Sequence, residues 1–176
     1  MKDARSDIED ALLVMDAQDG NAAAMEKLVG RWQKRLWNHA YRLVGNADAA
    51  WDVTQQSWLG IIKCLNKLHD PESFKAWAYK ITTNKSIDWA RKNKTAERVD
   101  IEEYRRHQQK EVKNVGIEEF LQRLDEKGRT VLSLYYFEQL NVAEIGEVLK
   151  IPRGTVKSRL HSAKRKFREI WQKYSE

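Results

Sequence analysis

The sequence predicts an all-α protein of two small helical domains joined by a flexible linker. Three observations predict it. Apolar residues recur at three- and four-residue spacing over most of the chain, and no stretch alternates convincingly as a strand does. Only two prolines and eight glycines interrupt the 176 residues, which leaves long runs free to be helical. Between Thr95 and Gly116 the periodicity stops: TAERVDIEEYRRHQQKEVKNVG has few apolar residues and charges of both signs. The division is therefore 1–94, a linker over 95–116, and 117–176.

In the first domain, Asn21 is an N-cap for a helix carrying Met25, Leu28, Trp32, Leu36, Ala40 and Leu43, ended by Gly45–Asn46. Asp48 can cap the next helix, with an apolar stripe of Trp51, Trp58, Ile61, Ile62, Leu65 and Leu68. In LHDPESF, Asp70 is an N-cap and Pro71 the first helical residue, a strong start signal. The third helix carries Phe74, Trp77, Ala78 and Ile81 and runs to about Lys94. In the second domain, Phe120, Leu121 and Leu124, then Val131, Leu132, Leu134 and Tyr135, mark two helices around the break DEKGR. Val142, Ile145, Val148 and Leu149 form a short helix, KIP a tight turn, and Val156, Leu160, Ala163, Phe167 and Ile170 a long last helix.

Composition narrows the function. The formal net charge is +6 and the isoelectric point near 9.3, which favours an acidic partner, nucleic acid first. No apolar run approaches the ~18 residues of a membrane span, and MKDARSDIED has no apolar signal core, so the expected place is the cytoplasm without membrane insertion. The one cysteine, Cys64, cannot form an internal disulfide and reads as a core thiol. No phosphate-binding glycine loop, metal-ligand cluster or nucleophile triad occurs, and His39, His69, His107 and His161 are scattered. The expectation is a binding protein with no cofactor and no metal, not an enzyme.

A short helix, a three-residue turn and a longer basic helix have the spacing of a helix-turn-helix. Gly146 suits a close crossing of the two helices. With Val156, Leu160, Ala163 and Phe167 buried, Arg153, Lys157, Ser158, Arg159, His161, Ser162 and Arg165 fall on the solvent-facing arc. Such a helix can enter a major groove, its N-terminal half reading base edges and the rest holding phosphates. Between 150 and 173 the only acid is Glu169, whereas 117–149 carries seven. The bland alternative is a solvated amphipathic helix; the turn and the two apolar helices in register favour DNA. Many such turns place a glycine where Lys150 stands; a lysine in a left-handed conformation costs on the order of 1 kcal/mol, so a differently shaped turn is expected.

A second basic stretch is KAWAYKITTNKSIDWARKNK, where Lys75, Lys80, Lys85, Arg91, Lys92 and Lys94 face one acid, Asp88, with Trp77, Tyr79 and Trp89 interleaved. Cations and aromatics together suit unpaired DNA, although Trp77 also fits the core stripe. Asn84 is a poor helix former mid-helix and its amide can read a base edge. In DVTQQSWLGIIKCLNKL, Asp52, Gln55, Gln56 and Lys63 lie opposite Trp58, Ile61 and Leu65, a polar face that binds either a protein or only water.

Together these three segments resemble the sigma-70 family of bacterial RNA polymerase initiation factors, in its short extracytoplasmic-function group, over about residues 20–170. DVTQQSWLGIIKCLNKL is similar to the polymerase-binding helix, FKAWAYKITTNKSIDWARKNK to the promoter −10 helix, and LDEKGRTVLSLYYFEQLNVAEIGEVLKIPRGTVKSRLHSAKRKF to the −35 domain. Gln56, Asp125, Lys150 and Ser162 depart from the usual acid, Pro, Gly and Arg. The resemblance implies a two-domain specialised factor. It implies contacts from Asp52, Gln55, Gln56 and Lys63 to core polymerase (β′ and β subunits). It implies −10 DNA contacts from Leu68, His69, Asp70, Lys80, Asn84, Lys85, Asp88 and Arg91. It implies −35 contacts from Arg153, Thr155, Lys157, Ser158, Arg159, His161, Ser162 and Arg165. Partners would be core polymerase, promoter DNA and an anti-sigma factor. The rival readings are a helix-turn-helix regulator acting without polymerase, which would bind duplex DNA alone, and a polymerase-binding adaptor or anti-sigma protein, which would show no promoter selectivity.

Overall fold

Two asparagines start the long helices of the N-terminal half. Asn21 Oδ1 accepts from the Ala24 amide at 3.2 Å and begins α2 (Ala22–Val44), which ends at Gly45 in the left-handed region, φ 73°. Asn46, rather than Asp48, caps α3 (Ala47–Cys64), its Oδ1 accepting from the Ala49 amide at 2.9 Å. Asp48 falls inside the first turn, where its charge favours the helix dipole. Two 3-10 turns, Leu65–Lys67 and Pro71–Ser73, lead into α4 (Phe74–Lys94), with Asp70 as the cap and Pro71 first, as the sequence predicts. The computed structural model describes residues 4–94 and 116–175, so the expected linker over 95–116, all but Gly116, lies outside the described residues.

A helix that the sequence reading does not anticipate precedes these, α1 (Ala4–Gln18). Val14 is buried and Leu13 and Ala17 pack on the core, but Ile8, Leu12 and Met15 are exposed. Apolar residues on both sides blur the helical period. Arg31 of α2 pins α1 in place, its Nε donating to Asp10 at 2.7 Å and its guanidinium to Glu9 at 3.0 Å.

The C-terminal half consists of α5 (Ile117–Gln122), α6 (Glu126–Leu132), a π turn over Ser133–Phe137, α7 (Val142–Leu149) and α8 (Arg153–Ser175). The break expected at DEKGR is shorter than read: Asp125 stands at the N-cap position of α6 and Glu126–Arg129 are helical. Asn141 and Glu144 form a capping box at α7, with Asn141 accepting from the Ala143 and Glu144 amides at 2.9 and 3.0 Å. Lys150 does adopt the left-handed conformation, φ 53° and ψ 46°, so the turn keeps the shape that glycine usually supplies and the lysine bears the strain. The close crossing expected at Gly146 is present: a Cβ there would sit 3.0 Å from the Ile151 carbonyl oxygen.

The N-terminal core gathers on Trp32, which meets Phe74 edge-on at 5.2 Å and Tyr79 at 5.7 Å. Val131, Leu134, Ile145, Val156, Leu160 and Ala163 build the C-terminal core. The two are continuous: Leu28, Leu36 and Ile61 share one hydrophobic cluster with Leu121, Leu124 and Leu134. The halves, read from sequence as units tied by a linker, pack directly on each other, α7 against α4 and α5–α6 against α2.

Candidate protein and nucleic-acid interfaces

The core face of α3 is Ala50, Val53, Thr54, Ser57, Trp58, Ile61, then Leu65, a three–four spacing with two hydroxyls in it. Thr54 and Ser57 are tolerated because each donates to a carbonyl one turn back, Ala50 at 2.6 Å and Val53 at 2.7 Å. This face turns the rest of α3 outward. Asp52, Gln55, Gln56 and Lys63 are all exposed. Between them stand Leu59, 69% exposed, and Ile62, 52% exposed, with Trp51 beside them. Trp51 and Ile62, read from sequence as buried, are surface residues: once Thr54 and Ser57 occupy the core, the apolar stripe shifts around the helix. The outer face is thus mixed, with bare aliphatic groups framed by amides and charges. Cys64 at its end is free and half-buried.

The loop after α3 offers less side chain than the sequence implies. Leu68 is buried, so it presents only backbone outward. Asp70 is exposed but engaged, accepting from the Glu72 amide at 3.1 Å and from the Ser73 hydroxyl. His69 is exposed. On α4, Lys80, Asn84, Asp88 and Arg91 follow spacings of four, four and three and so share one face. Asn84, Asp88 and Arg91 are exposed, Lys80 and Lys85 half-buried, and Asp88 and Arg91 lie 3.8 Å apart. The interleaved aromatics are packed instead. Tyr79 is buried, Trp77 lies on the core, and Trp89 covers Ala40, Ala50 and Val53.

On α8, Arg153, Lys157, Ser158, His161 and Arg165 are exposed and Thr155, Arg159 and Ser162 half-buried, while Val156, Leu160 and Ala163 form the buried face. Lys166 pairs with Asp125 at 3.5 Å. Lys164 lies over the rings of Tyr135 and Tyr136, 5.4 Å from each centroid, so its charge is held toward the protein.

Sequence reasoning missed one polar site, buried where the two halves meet. His39 Nδ1 lies 3.2 Å from Glu138 Oε1 and its Nε2 2.8 Å from Thr83 Oγ1. A carboxylate only accepts, so Nδ1 carries the proton. Arg42 donates to the same carboxylate and, at 3.3 Å, to the Ser133 hydroxyl, and its guanidinium caps the Phe137 ring at 4.5 Å. Gln122 donates to the Arg42 carbonyl at 2.9 Å. Burial pushes the Glu138 carboxyl up, but the His39 hydrogen bond, the Arg42 charge and the Tyr79 hydroxyl outweigh it and hold the group below its ordinary range. Burial and the neighbouring Glu138 raise Tyr79. Only the place of His39 in the apolar spacing of α2 hinted at this site. A cleft of about 440 Å³ opens beside it, lined by Arg35, Lys75 and Gln139 among others. Among the described residues no group of three or more His, Cys, Asp or Glu is placed to hold a metal, and no helix is long and apolar enough to cross a membrane.

The chain matches the family description of sigma-70 region 2 over residues 28–96 and of sigma-70 region 4 over residues 120–169. It is 29% identical to the ECF RNA polymerase sigma factor SigW of Bacillus subtilis, over 89% of this chain and 93% of that protein. It is 30% identical to SigE of Mycolicibacterium smegmatis, over 97% and 71% of the two chains. Among solved structures, CnrH in complex with the cytosolic domain of CnrY shares the fold, with a TM-score of 0.72 and 24% identity over 93% of this chain and 97% of that one. The sigma factor RpoE in complex with the anti-sigma factor NepR from Bartonella quintana does so with a TM-score of 0.68 and 17% identity, over 84% and 96%.

Proposed function

Since this chain belongs to the sigma-70 family, and within it to the extracytoplasmic-function group, we propose that it binds core RNA polymerase and directs it to specific promoters. The observation that carries this is the pairing in one chain of a half-apolar protein-contact face on α3 with a helix-turn-helix whose exposed arc is cationic. In this reading Asp52, Gln55, Gln56, Leu59, Ile62 and Lys63 meet the polymerase β′ and β subunits. His69, the backbone at Leu68 and Asn84 meet unpaired bases of the −10 strand, with Lys80, Lys85 and Arg91 along its phosphates. Arg153, Lys157, Ser158 and His161 enter the −35 major groove. The chain acts by binding, with no chemistry of its own, and works in the cytoplasm where the polymerase is. An anti-sigma factor is a fitting inhibitor, as both solved neighbours are complexes with a protein partner.

The packed halves place a condition on this function. A compact chain of this length is about 40 Å across, whereas promoter elements about 25 base pairs apart are separated by roughly 80 Å at 3.4 Å per pair. One packed body cannot reach both, so the halves part when promoter and polymerase are engaged. His69, Asn84 and Arg91 in one half and Arg153, Lys157, Ser158 and His161 in the other are already exposed, with Lys80 and Lys85 half-buried, so closure restrains mainly by distance.

Run-off transcription with purified core polymerase and genomic fragments tests the proposal. Specific start sites that appear only with this chain are expected. Binding to duplex DNA without polymerase, and no new start sites, would instead favour a simple helix-turn-helix regulator.

A further inference from the structure

The loop from Leu65 to Asp70 joins the α3 face to α4, and its side chains divide sharply. Leu65 and Leu68 are buried; Asn66, Lys67 and His69 point to solvent. The loop is held at its far end by Asp70, which caps the next turn. At its near end the holding group comes from 47 to 50 residues earlier. Gln18 Nε2 donates to the Leu65 carbonyl at 2.9 Å and to the Leu68 carbonyl at 2.8 Å. The amide nitrogen has two N–H donors, and both go to this loop.

Gln18 is the last residue of α1, and α1 is itself fixed by buried Val14 and by the Arg31 bonds to Glu9 and Asp10. The amide is thus delivered on a rigid strut. The helix lies before the residues matched to sigma-70 region 2, which begin at 28, so the family match assigns it no task. Between the two clamped carbonyls lie Asn66 and Lys67, and directly after them His69. With both carbonyls fixed, the tip from 66 to 69 has one shape before any base arrives. Without the Gln18 bonds the loop keeps its own Leu68 amide to Leu65 carbonyl bond at 3.0 Å, but the Leu68 carbonyl is released, and a more pliable pocket adapts to wrong bases as readily as to the right one.

We propose that Gln18 is a positioning residue that sets base preference at the −10 element by fixing the backbone of the base-reading loop. This rests on the reading of the Leu68–Asp70 loop as a −10 contact. The test uses holoenzyme assembled from core polymerase and the full chain, transcribing one library randomised at −10 and another at −35. Gln18→Glu keeps the shape but turns a carboxylate on two carbonyls; Gln18→Ala removes the side chain; His69→Ala alters the loop tip directly. Gln18→Glu and Gln18→Ala are expected to flatten −10 preference by about tenfold, as loss of two hydrogen bonds allows, with −35 ranking and polymerase affinity unchanged. Amide hydrogen exchange should rise locally at 66–69. An unchanged −10 ranking in both Gln18 variants, alongside an altered one in His69→Ala, overturns the proposal and leaves the loop reading intact. An unchanged ranking in all three overturns both. Equal losses at −10, at −35 and in polymerase affinity would assign Gln18 to folding alone and also overturn it.

Discussion

His39 and Glu138, 99 residues apart, form a 3.2 Å hydrogen bond in which both side chains are almost wholly buried, and it joins the two halves of the molecule. Arg42 shares the carboxylate, so one acid satisfies two basic groups from α2. A charge so placed is costly to strand. Glu138→Ala removes the acceptor and leaves Arg42 and His39 buried without it, which should weaken the contact between the halves by about 3 kcal/mol. Small-angle scattering should show the radius of gyration rising in this variant, and each half should keep its helical circular dichroism.

The same carboxylate sets a pH response. Its pKa is lower in the folded chain than the ordinary value of 4.5, so its contribution is complete above that value and is lost as pH falls through the lowered one. The contact between the halves should be level from neutral pH to about 5 and weaken below about 4.5. Scattering curves across that range should show opening in acid. Glu138→Gln, which cannot titrate, should open less steeply over the same window than the parent chain.

Leu59 and Ile62 carry the exposed face of α3. Leu59→Asp should lower affinity for core polymerase by more than tenfold, about 1.4 kcal/mol or more, while the melting temperature stays within a degree or two because the side chain is already in water. Asp52→Ala with Gln55→Ala should weaken the same association. Co-purification with the polymerase β′ subunit reads both; full retention in both variants would remove α3 from the interface.

Lys157 and Lys166 separate specificity from anchoring on α8. Lys157 is near the start of the helix and exposed, whereas Lys166 is about two and a half turns on and beside Asp125. Lys157→Ala should change which −35 sequence is preferred. Lys166→Ala should weaken binding to all of them and reduce the salt slope by about one unit. Transcription from a −35 library at two salt concentrations distinguishes the two.

Lys150 bears a strained backbone, φ 53°. Lys150→Gly should stabilise the helix-turn-helix by about 0.5–1 kcal/mol, read as a higher melting temperature with unchanged −35 preference.

Much of the fold is legible in the sequence because its signals are local. Asn21 and Asp70 start helices through bonds spanning two or three residues, Pro71 through its fixed φ, and the Val156–Leu160–Ala163 face follows from spacing alone. The α3 and α4 core faces were harder to see. Thr54, Ser57, Thr82 and Ser86 look like surface residues, and they are buried only because each hydroxyl finds a carbonyl four residues back. That satisfied bond is invisible to a hydrophobic pattern, and missing it misplaces Trp51 and Ile62.

By itself, then, the sequence determined the helices after α1, the order of the binding segments and the charge that suits the last helix to DNA, since each depends on neighbours in the chain. Only the tertiary structure decided that the two halves close on each other, and that Gln18 grips the loop at Leu65 and Leu68. Those bonds join residues 47 to 99 positions apart, and no periodicity or propensity encodes which distant carbonyl or carboxylate a buried donor will meet. Packing makes that choice, because each polar group taken out of water must find its partner among whatever the folded core brings within about 3 Å.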